Sequence, residues 1–258
     1  ILNVRDELSG FVRLNITAAF SGDDGGWKTT DRVVPLNAWS HIAIVYDGSS
    51  ASNDPIVYVN GVAQTITEGS TPTGSITSDA SSDLYIGNNS SGTRTFDGYI
   101  MDTKIYKASG ISSTQVPIAA ARINQDPDLI SPNPPKGWYK FNASTTADSS
   151  GNSNTASASN MGSVVYDEFS VDILNNNAGG SGTFKVTQGK VECKALTSVD
   201  FEDTQDYGKI AFDSTITQSH DNMSIACWIK KENATGNDDT ILGKSDLPHH
   251  HYLKIGTN

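Results

Sequence analysis

The feature that most constrains the fold is the alternation of apolar and polar residues with a period of two. The segment Phe11-Val-Arg-Leu-Asn-Ile16 alternates as a strand with one buried face does. Ile56-Val-Tyr-Val59 precedes Asn60-Gly61, a dipeptide that tolerates positive φ at both positions of a tight hairpin turn. Other strand-like segments follow along the chain, at His41–Tyr46, Val62–Ile66, Leu84–Ile86, Tyr99–Tyr106, Gly137–Phe141, Phe184–Val186, Tyr207–Phe212, Met223–Lys230, Thr240–Leu242 and Tyr252–Ile255. The pattern predicts an all-β fold of antiparallel strands.

Two segments interrupt this pattern in the middle of the chain. Residues 112–123 predict a single helix, with Ser112 or Ser113 as its N-cap and Pro117 in its first turn, where proline is tolerated. Residues 125–135 contain four prolines in eleven positions, which is typical of a stiff connector. We therefore divide the chain into residues 1–123, a Pro-rich connector at 124–136, and residues 137–258.

Charge and hydropathy exclude two classes of partner. The chain has 18 basic and 29 acidic residues, a net charge of −11. Binding to a phosphate backbone needs clustered Lys and Arg, so no nucleic-acid partner is expected. No run reaches the roughly 18 apolar residues that a membrane-spanning helix needs, so no membrane insertion is expected either.

Several motifs resemble a known family. The segments Ala38–Gly48, Val57–Gly61, Leu84–Gly87 and Phe96–Tyr106 look like the second half of a laminin-G-like, concanavalin A-like lectin/glucanase domain, in its usual order. Motifs similar to the first half come later, at Trp138–Phe141, Asp148–Asn152, Lys194–Leu196, Val199–Phe201, Asp206–Tyr207, Ile225–Ile229 and Ile241–Lys244. The resemblance implies an antiparallel jelly-roll β-sandwich whose second-half strands precede its first-half strands.

Three arrangements fit this reversed order. In the first, which we favour, a circular permutation lets both halves close into one sandwich within the chain. In the second, neighbouring chains complete the sandwich by strand or domain swapping. In the third, the chain holds two tandem half-domains, although half a sandwich would leave an apolar sheet face and open strand edges in water. The permuted form predicts hydrogen bonds between strands of residues 1–110 and strands of residues 137–258.

The acidic residues do not have the spacing of a glucanase active site. Such a site needs paired carboxylates on one strand, as in Glu-x-Asp-x-Glu, and Glu168 and Asp172 do not form this pattern. Most other carboxylates stand beside Gly, Ser or Asn in turns. We therefore expect no enzyme activity and no catalytic residues.

Calcium is the cofactor that the sequence favours. Asp148, Asn152 and Asn154 place oxygen ligands in a glycine-containing loop, which suits Ca²⁺ better than Mg²⁺. In the laminin-G-like family an ion often ties such a loop to the sheet, and the resemblance implies that Asp102 could reach it. The alternative is an Asx-rich turn held by bonds from side chains to the backbone.

A glycan-binding set is predicted at a second acidic loop. Trp27 follows Ser21-Gly-Asp-Asp-Gly-Gly26 and is the tryptophan expected to be exposed, with Asp23 and Asp24 as hydrogen-bonding partners of a sugar. An aromatic residue of an edge strand is the competing interpretation. The other three tryptophans lie in strand motifs and are expected in the core, at positions Trp39, Trp138 and Trp228.

Together these observations favour a non-catalytic, extracellular recognition or adhesion module that binds a cell-surface or extracellular glycan. The alternative is a structural subunit of a virion, fibre or surface filament, which would self-associate into an assembly. Either function places the protein outside the cell, on a cell surface or on a virion surface. A glycan-binding monomer would favour the first function, and spontaneous ordered polymers would favour the second.

Overall fold

The computed structural model describes residues 2–78, 81–107, 135–141, 146–159, 164–167, 196–201, 206–211, 223–232 and 239–244. These ranges hold seventeen strands and no helix. No helix within them is long and apolar enough to cross a membrane. The predicted helix at 112–123, most of the connector at 124–136, and the predicted strands at 184–186 and 252–255 lie outside the described residues.

The first of two sheets combines strands from both ends of the sequence. Its members are β1 (Leu2–Leu8), β2 (Phe11–Ala18), β3 (Gly25–Thr29), β4 (Val34–Pro35), β8 (Ile66–Ser70), β9 (Leu84–Ile86), β12 (Ala156–Ser159), β15 (Tyr207–Ile210) and β17 (Asp239–Lys244). The spatial order is β12-β15-β9-β17-β1-β2-β3-β8, and β4 pairs with β2.

The second sheet also combines strands from both halves of the sequence. Its members are β5 (Trp39–Tyr46), β6 (Ile56–Val59), β7 (Val62–Gln64), β10 (Gly98–Lys107), β11 (Gly137–Tyr139), β13 (Val164–Asp167), β14 (Leu196–Phe201) and β16 (Met223–Lys231). The order is β13-β14-β10-β16-β5-β6-β7, and β11 pairs with β10.

In each sheet of this one chain, a strand from the second half of the sequence lies between two strands from the first half. In the first sheet β17 lies between β9 and β1, with Leu242 opposite both Leu2 and Ile86. In the second sheet β16 lies between β10 and β5, with Ile225 opposite Ile105 and Ile44. The pairing is antiparallel in all fifteen strand pairs of the described ranges.

The two sheets pack face to face over one core. Alternate residues of β2 and β5 belong to the same buried cluster, which shows that each sheet turns one face inward. Nine apolar residues of the family-like strand motifs are buried in this core, namely Ile42, Ile44, Val57, Val59, Ile86, Ile100, Phe141, Phe201 and Ile225. The expectation that Trp228 lies in the core is wrong, because Trp228 is only half-buried and points to the opposite face of β16 from Cys227 and Ile229. The antiparallel all-β fold predicted from the alternation, and the sandwich that the resemblance implied, are thus confirmed.

One predicted strand is divided between the sheets. Residues 62–66 were expected to form a single strand after the turn at Asn60 and Gly61, whose φ angles are 49° and 79°. Instead β7 pairs with β6 in the second sheet, whereas β8 pairs with β3 in the first. Thr65, between them, accepts a backbone hydrogen bond from Thr30. The chain therefore passes from one layer of the sandwich to the other at this residue.

Candidate functional site

A β-bulge in β10 creates a polar cluster on the outer face of the second sheet, the face turned away from the core. The register between β10 and β16 shifts between Met101 and Lys104, and Asp102 has a φ of 52°. A bulge of this kind re-aims the side chains around it. Here Asp102 Oδ1 accepts a hydrogen bond of 2.5 Å from Trp138 Nε1, and Asp102 Oδ2 lies 2.7 Å from Lys104 Nζ. All three side chains are buried.

The same cluster brings positive charge close to aromatic rings. Lys104 Nζ lies 5.1 Å from the ring centroid of Trp138, and Lys140 Nζ lies 4.0 Å from that centroid. A cation over an indole face is attracted by the ring's quadrupole. Because both oxygens of Asp102 bind protein donors, this carboxylate has a structural partner at each atom.

Asp148 organises the loop in which we predicted calcium ligands. Its Oδ1 accepts hydrogen bonds from the backbone N–H groups of Trp138, at 2.9 Å, and Ser150, at 2.8 Å. Its Oδ2 accepts from Ser150 Oγ at 2.8 Å and from the Asn154 backbone N–H at 2.9 Å. Asn152 Nδ2 donates to Ser150 Oγ, and Asn154 Nδ2 donates to the Lys136 carbonyl oxygen. The loop therefore has the bonds of an Asx-rich turn tied to β11.

These contacts define what a cation would meet at the predicted metal ligands. The structure brings Asp148, Asn152 and Asn154 into one loop and links Asp148 to Asp102 through the backbone and indole of Trp138. A carboxylate has about four acceptor positions, and four donors already occupy those of Asp148. In the described ranges no three His, Cys, Asp or Glu residues group as metal ligands. Calcium at this loop remains a prediction, in which the ion would replace some of these donors.

The acidic loop predicted to bind glycan is held against the loop that follows β8. The backbone N–H of Asp23 donates to Thr73 Oγ1 at 2.8 Å, and Thr73 Oγ1 donates to Asp23 Oδ2 at 3.2 Å. Asp24 Oδ1 accepts from the Phe20 N–H, and the carbonyl oxygen of Asp24 accepts from Ser70 Oγ. Asp23 is exposed and Asp24 half-buried. The two carboxylates therefore lie at the rim and stabilise the local turn.

The expectation that Trp27 is an exposed aromatic residue beside these carboxylates is wrong. Its side chain is 2% exposed and belongs to the core. The ring packs over Gly25, whose ideal Cβ would lie 2.2 Å from Cη2, and meets Tyr46 at 5.5 Å between centroids. Its Nε1 donates to Asp54 Oδ1 at 2.7 Å. Trp27 therefore offers no face to a sugar ring, because β3 turns it inward.

A partly exposed group of aromatic residues lies instead on the outer face of the second sheet. Lys230 is the register partner of both Trp39 and Tyr99, so these three residues form a row across β5, β16 and β10. The rings of Trp39 and Tyr99 are 6.4 Å apart, and Lys230 Nζ lies 5.1 Å from the Tyr99 centroid. Trp228 stands in the adjacent row. These four half-buried residues, Trp39, Tyr99, Trp228 and Lys230, are called the outer aromatic patch below.

Buried polar groups adjoin this patch. His41 is the register partner of Trp228 and meets it edge to face at 5.2 Å between centroids. Burial, and then the nearby Lys104 ammonium, lower the pKa of His41 to about 3, so its imidazole is neutral. Among the described residues, three of the buried atoms without a hydrogen-bond partner lie here, namely His41 Nδ1, Trp228 Nε1 and the Tyr106 hydroxyl oxygen. Burial, and then Asp102, raise the pKa of Tyr106, so its hydroxyl remains protonated.

Sequence reasoning missed the outer aromatic patch because it assigned every tryptophan of a strand motif to the core. The alternation of odd-numbered and even-numbered residues within these strands could have revealed the patch. In β5 the core residues Ile42 and Ile44 have even numbers, whereas Trp39 has an odd one. In β16 the core residues have odd numbers, whereas Trp228 has an even one. Because successive strand residues point to opposite faces, Trp39 and Trp228 belong on the outer face. Trp138 is buried as expected, but against Asp102 on that face.

Comparison with known proteins gives one match. Residues 7–116 match the family model described as the Concanavalin A-like lectin/glucanases superfamily. The matched segment is less than half of the chain, begins near the end of β1 and includes β2 to β10. Over these residues the match confirms the resemblance predicted from the motifs between Ala38 and Tyr106. Searches among curated proteins and among solved structures gave no match.

Proposed function

Because residues 7–116 match the concanavalin A-like lectin/glucanase superfamily, we propose that this protein is a non-catalytic recognition module that binds glycan. The module acts outside the cell, in adhesion to a cell-surface or extracellular glycan. The observation that carries the proposal is the outer aromatic patch, in which two half-buried rings and an ammonium group stand in one row across three strands.

The chemistry of this row suits a sugar. Aromatic side chains combine a large apolar face with, in Trp and Tyr, a polar group at the edge. The C–H face of a pyranose packs on such rings, while its hydroxyl groups need hydrogen-bond partners. Lys230 Nζ, which lies over Tyr99, supplies donors beside the rings. Binding sites typically place a few polar groups of this kind among apolar and aromatic ones.

The proposal moves the binding surface away from the loop that we first expected. Trp27 is buried, so Asp23 and Asp24 have no exposed tryptophan beside them. On the second sheet the rings are fixed by strand register, which limits the entropy lost when a ligand binds.

The absence of catalysis is part of the proposal and rests on Asp102. Hydrolysis of a glycoside uses two carboxyl groups, one of which acts as a proton donor. The carboxylate of Asp102 is buried between Lys104 Nζ and Trp138 Nε1 and contacts both. Because protein donors hold both of its oxygens, this carboxylate offers neither oxygen to a glycosidic bond.

A glycan array followed by titration of the best ligand tests this proposal. Trp39→Ala should weaken binding by about fivefold to tenfold, as expected for losing roughly 1 kcal/mol of aromatic contact. Tyr207→Ala is the matched control, since Tyr207 is a half-buried aromatic that packs on Tyr85 in the other sheet. No ligand on the array, or equal losses in the two variants, would contradict the proposal.

A second function, as a structural subunit of a virion, fibre or surface filament, is favoured by exposed apolar residues at a sheet edge. Val62 is 63% exposed and Ile56 41% exposed, and both belong to the β6–β7 hairpin at the end of the second sheet's order. An exposed apolar edge strand is a template for pairing with another chain. Size measurement by light scattering distinguishes the functions, because concentration-dependent ordered polymers that disappear in Val62→Lys would favour the subunit.

A further inference from the structure

A lysine and two aspartates meet between the sheets, away from the outer aromatic patch. Lys231 ends β16 in the second sheet, and Asp239 begins β17 in the first. Cys227 and Ile229 face the core, and Lys231 continues this alternate set. The Lys231 side chain is 2% exposed and that of Asp239 6%. Both charged groups therefore lie inside the sandwich.

Two carboxylates share the amine of this lysine. Lys231 Nζ lies 2.7 Å from Asp239 Oδ2 and 3.5 Å from Asp97 Oδ2, and it donates a hydrogen bond of 3.0 Å to the Asp97 carbonyl oxygen. The Phe96 ring centroid is 5.6 Å from the same nitrogen. The amine is thus enclosed by one buried carboxylate, a second carboxylate and an aromatic wall.

The backbone fixes Asp97 in this position. Gly98, the next residue, has a φ of 147°, and its ideal Cβ would lie 2.1 Å from the Lys230 carbonyl oxygen. A side chain would clash there with backbone, so glycine is required for this close approach of β10 to β16. The Glu232 N–H also donates to the Asp97 carbonyl oxygen. The backbone of Asp97 is therefore held beside the end of β16 before any reaction.

We propose that Lys231 and Asp239 are the site of an intramolecular amide cross-link, with Asp97 as the proton carrier. Burial favours this reaction because water no longer stabilises the separated charges, and condensation removes both of them. Fixed proximity removes the entropic cost of bringing the reactants together. Burial of the amine and of the Asp239 carboxylate also limits hydrolysis of the product, although the Asp97 side chain is 22% exposed.

The reaction balances without a cofactor or an oxidant. A proton passes from the Lys231 ammonium to the Asp239 carboxylate, which leaves a neutral amine beside a carboxylic acid. The Nζ lone pair attacks Asp239 Cγ and forms the C–N bond. Asp97 takes a proton from the nitrogen and delivers it to the hydroxyl group on Cγ, and the C–O bond breaks as water leaves. An ammonium and a carboxylate thus become one neutral amide and one water.

A second buried pair provides a matched comparison. Lys104 Nζ lies 2.7 Å from Asp102 Oδ2, the same distance as in the pair of Lys231 and Asp239. In the described part of the chain, Lys104 contacts no further carboxylate that could carry the proton. The proposal therefore assigns the cross-link to Lys231 and none to Lys104.

Intact-mass spectrometry of the denatured chain tests the cross-link. The wild-type chain should be lighter than its sequence mass by one water, and fragmentation should find the peptide of residue 231 joined to that of residue 239. Lys231→Arg keeps the positive charge but should restore the full mass. Asp97→Ala should slow or abolish the water loss, whereas Lys104→Arg should leave it unchanged.

Three results would overturn the proposal. They are a wild-type chain of full mass after prolonged incubation, a water loss that persists in Lys231→Arg, and a loss that maps to another peptide. The sequence Asp97-Gly98 can itself lose water by forming a succinimide. Hydroxylamine treatment separates the two products, because it opens a succinimide and leaves an amide intact.

Discussion

Removal of the Asp148 carboxylate tests how the loop after β11 is held. In Asp148→Ala four hydrogen bonds disappear, two of them from the backbone N–H groups of Trp138 and Asn154. These two residues are only 3% and 5% exposed, so water cannot readily replace the lost acceptor. The two donors on Ser150, which is half-buried, can rehydrate more easily.

The expected loss follows from the two buried donors. A buried donor left without an acceptor costs about 1–3 kcal/mol, so with two such donors Asp148→Ala should lower the free energy of unfolding by about 2–6 kcal/mol. Asp148→Asn retains one acceptor oxygen and should lose roughly half of that amount. Asp47→Ala is the control, because exposed Asp47 accepts a similar turn bond from the Ser49 N–H, at 3.0 Å. Its loss should stay below about 0.5 kcal/mol.

Urea denaturation followed by tryptophan fluorescence measures these differences, provided that the m-value is unchanged. A loss below about 1 kcal/mol in Asp148→Ala, or an equal loss in Asp47→Ala, would refute the reasoning from buried donors. Repeating the titrations with calcium and with a chelator tests the predicted ion separately. Stabilisation by calcium that disappears in Asp148→Ala would support that prediction, and equal stability in both solutions would contradict it.

Three further predictions concern buried residues. His41 is neutral when folded, with a pKa of about 3 against 6.5, so stability should be complete above pH 6.5 and fall with decreasing pH. By pH 4.5 this lowers the free energy of unfolding by about 2–3 kcal/mol. His41→Gln should remove this loss, which is measured by comparing denaturation curves at pH 4.5 and above pH 6.5. Gly25→Ala should cost about 1–3 kcal/mol because its Cβ meets the Trp27 ring, whereas Gly26→Ala should be nearly neutral in the same assay. Burial raises the pKa of Cys227 to about 12. In a Cys193→Ser chain, a thiol reagent should therefore react with Cys227 only after unfolding. Rapid labelling of the folded chain would contradict this.

The strands could be predicted because their signal is local. Alternation and the turn at Asn60-Gly61 depend on neighbouring residues, and β2, β5, β6, β9 and β10 lie where the pattern indicated. Strand β3 could not be recognised in this way, because its residues Gly25, Gly26 and Trp27 resemble a glycine-rich loop. What makes it a strand is its pairing with β2 and β8 on either side, which is tertiary information.

The sites could be predicted only in part, for a similar reason. Asp148, Asn152 and Asn154 are close in sequence, and their common loop was foreseeable. The bonds that occupy Asp148, by contrast, include one from β11. The contacts among Lys231, Asp239 and Asp97 could not be foreseen, since the Lys231 amine meets a carbonyl oxygen 134 positions earlier in the chain. Only the strand order brings such positions together.

That strand order has a consequence for the growing polypeptide. When residues 2–107 have left the ribosome, β5 and β10 are both present, but β16, which separates them, is still to be made. The first sheet has a matching gap, because β1 and β9 await β17 between them. Each incomplete sheet thus presents two unsatisfied strand edges that face a slot one strand wide. Such a slot is a receptor for any extended segment of suitable pattern, including β16 or β17 of another copy. Folding must wait for pairing over long sequence separations, which is slow, and a chaperone that shields these slots would raise the yield of correctly closed chains.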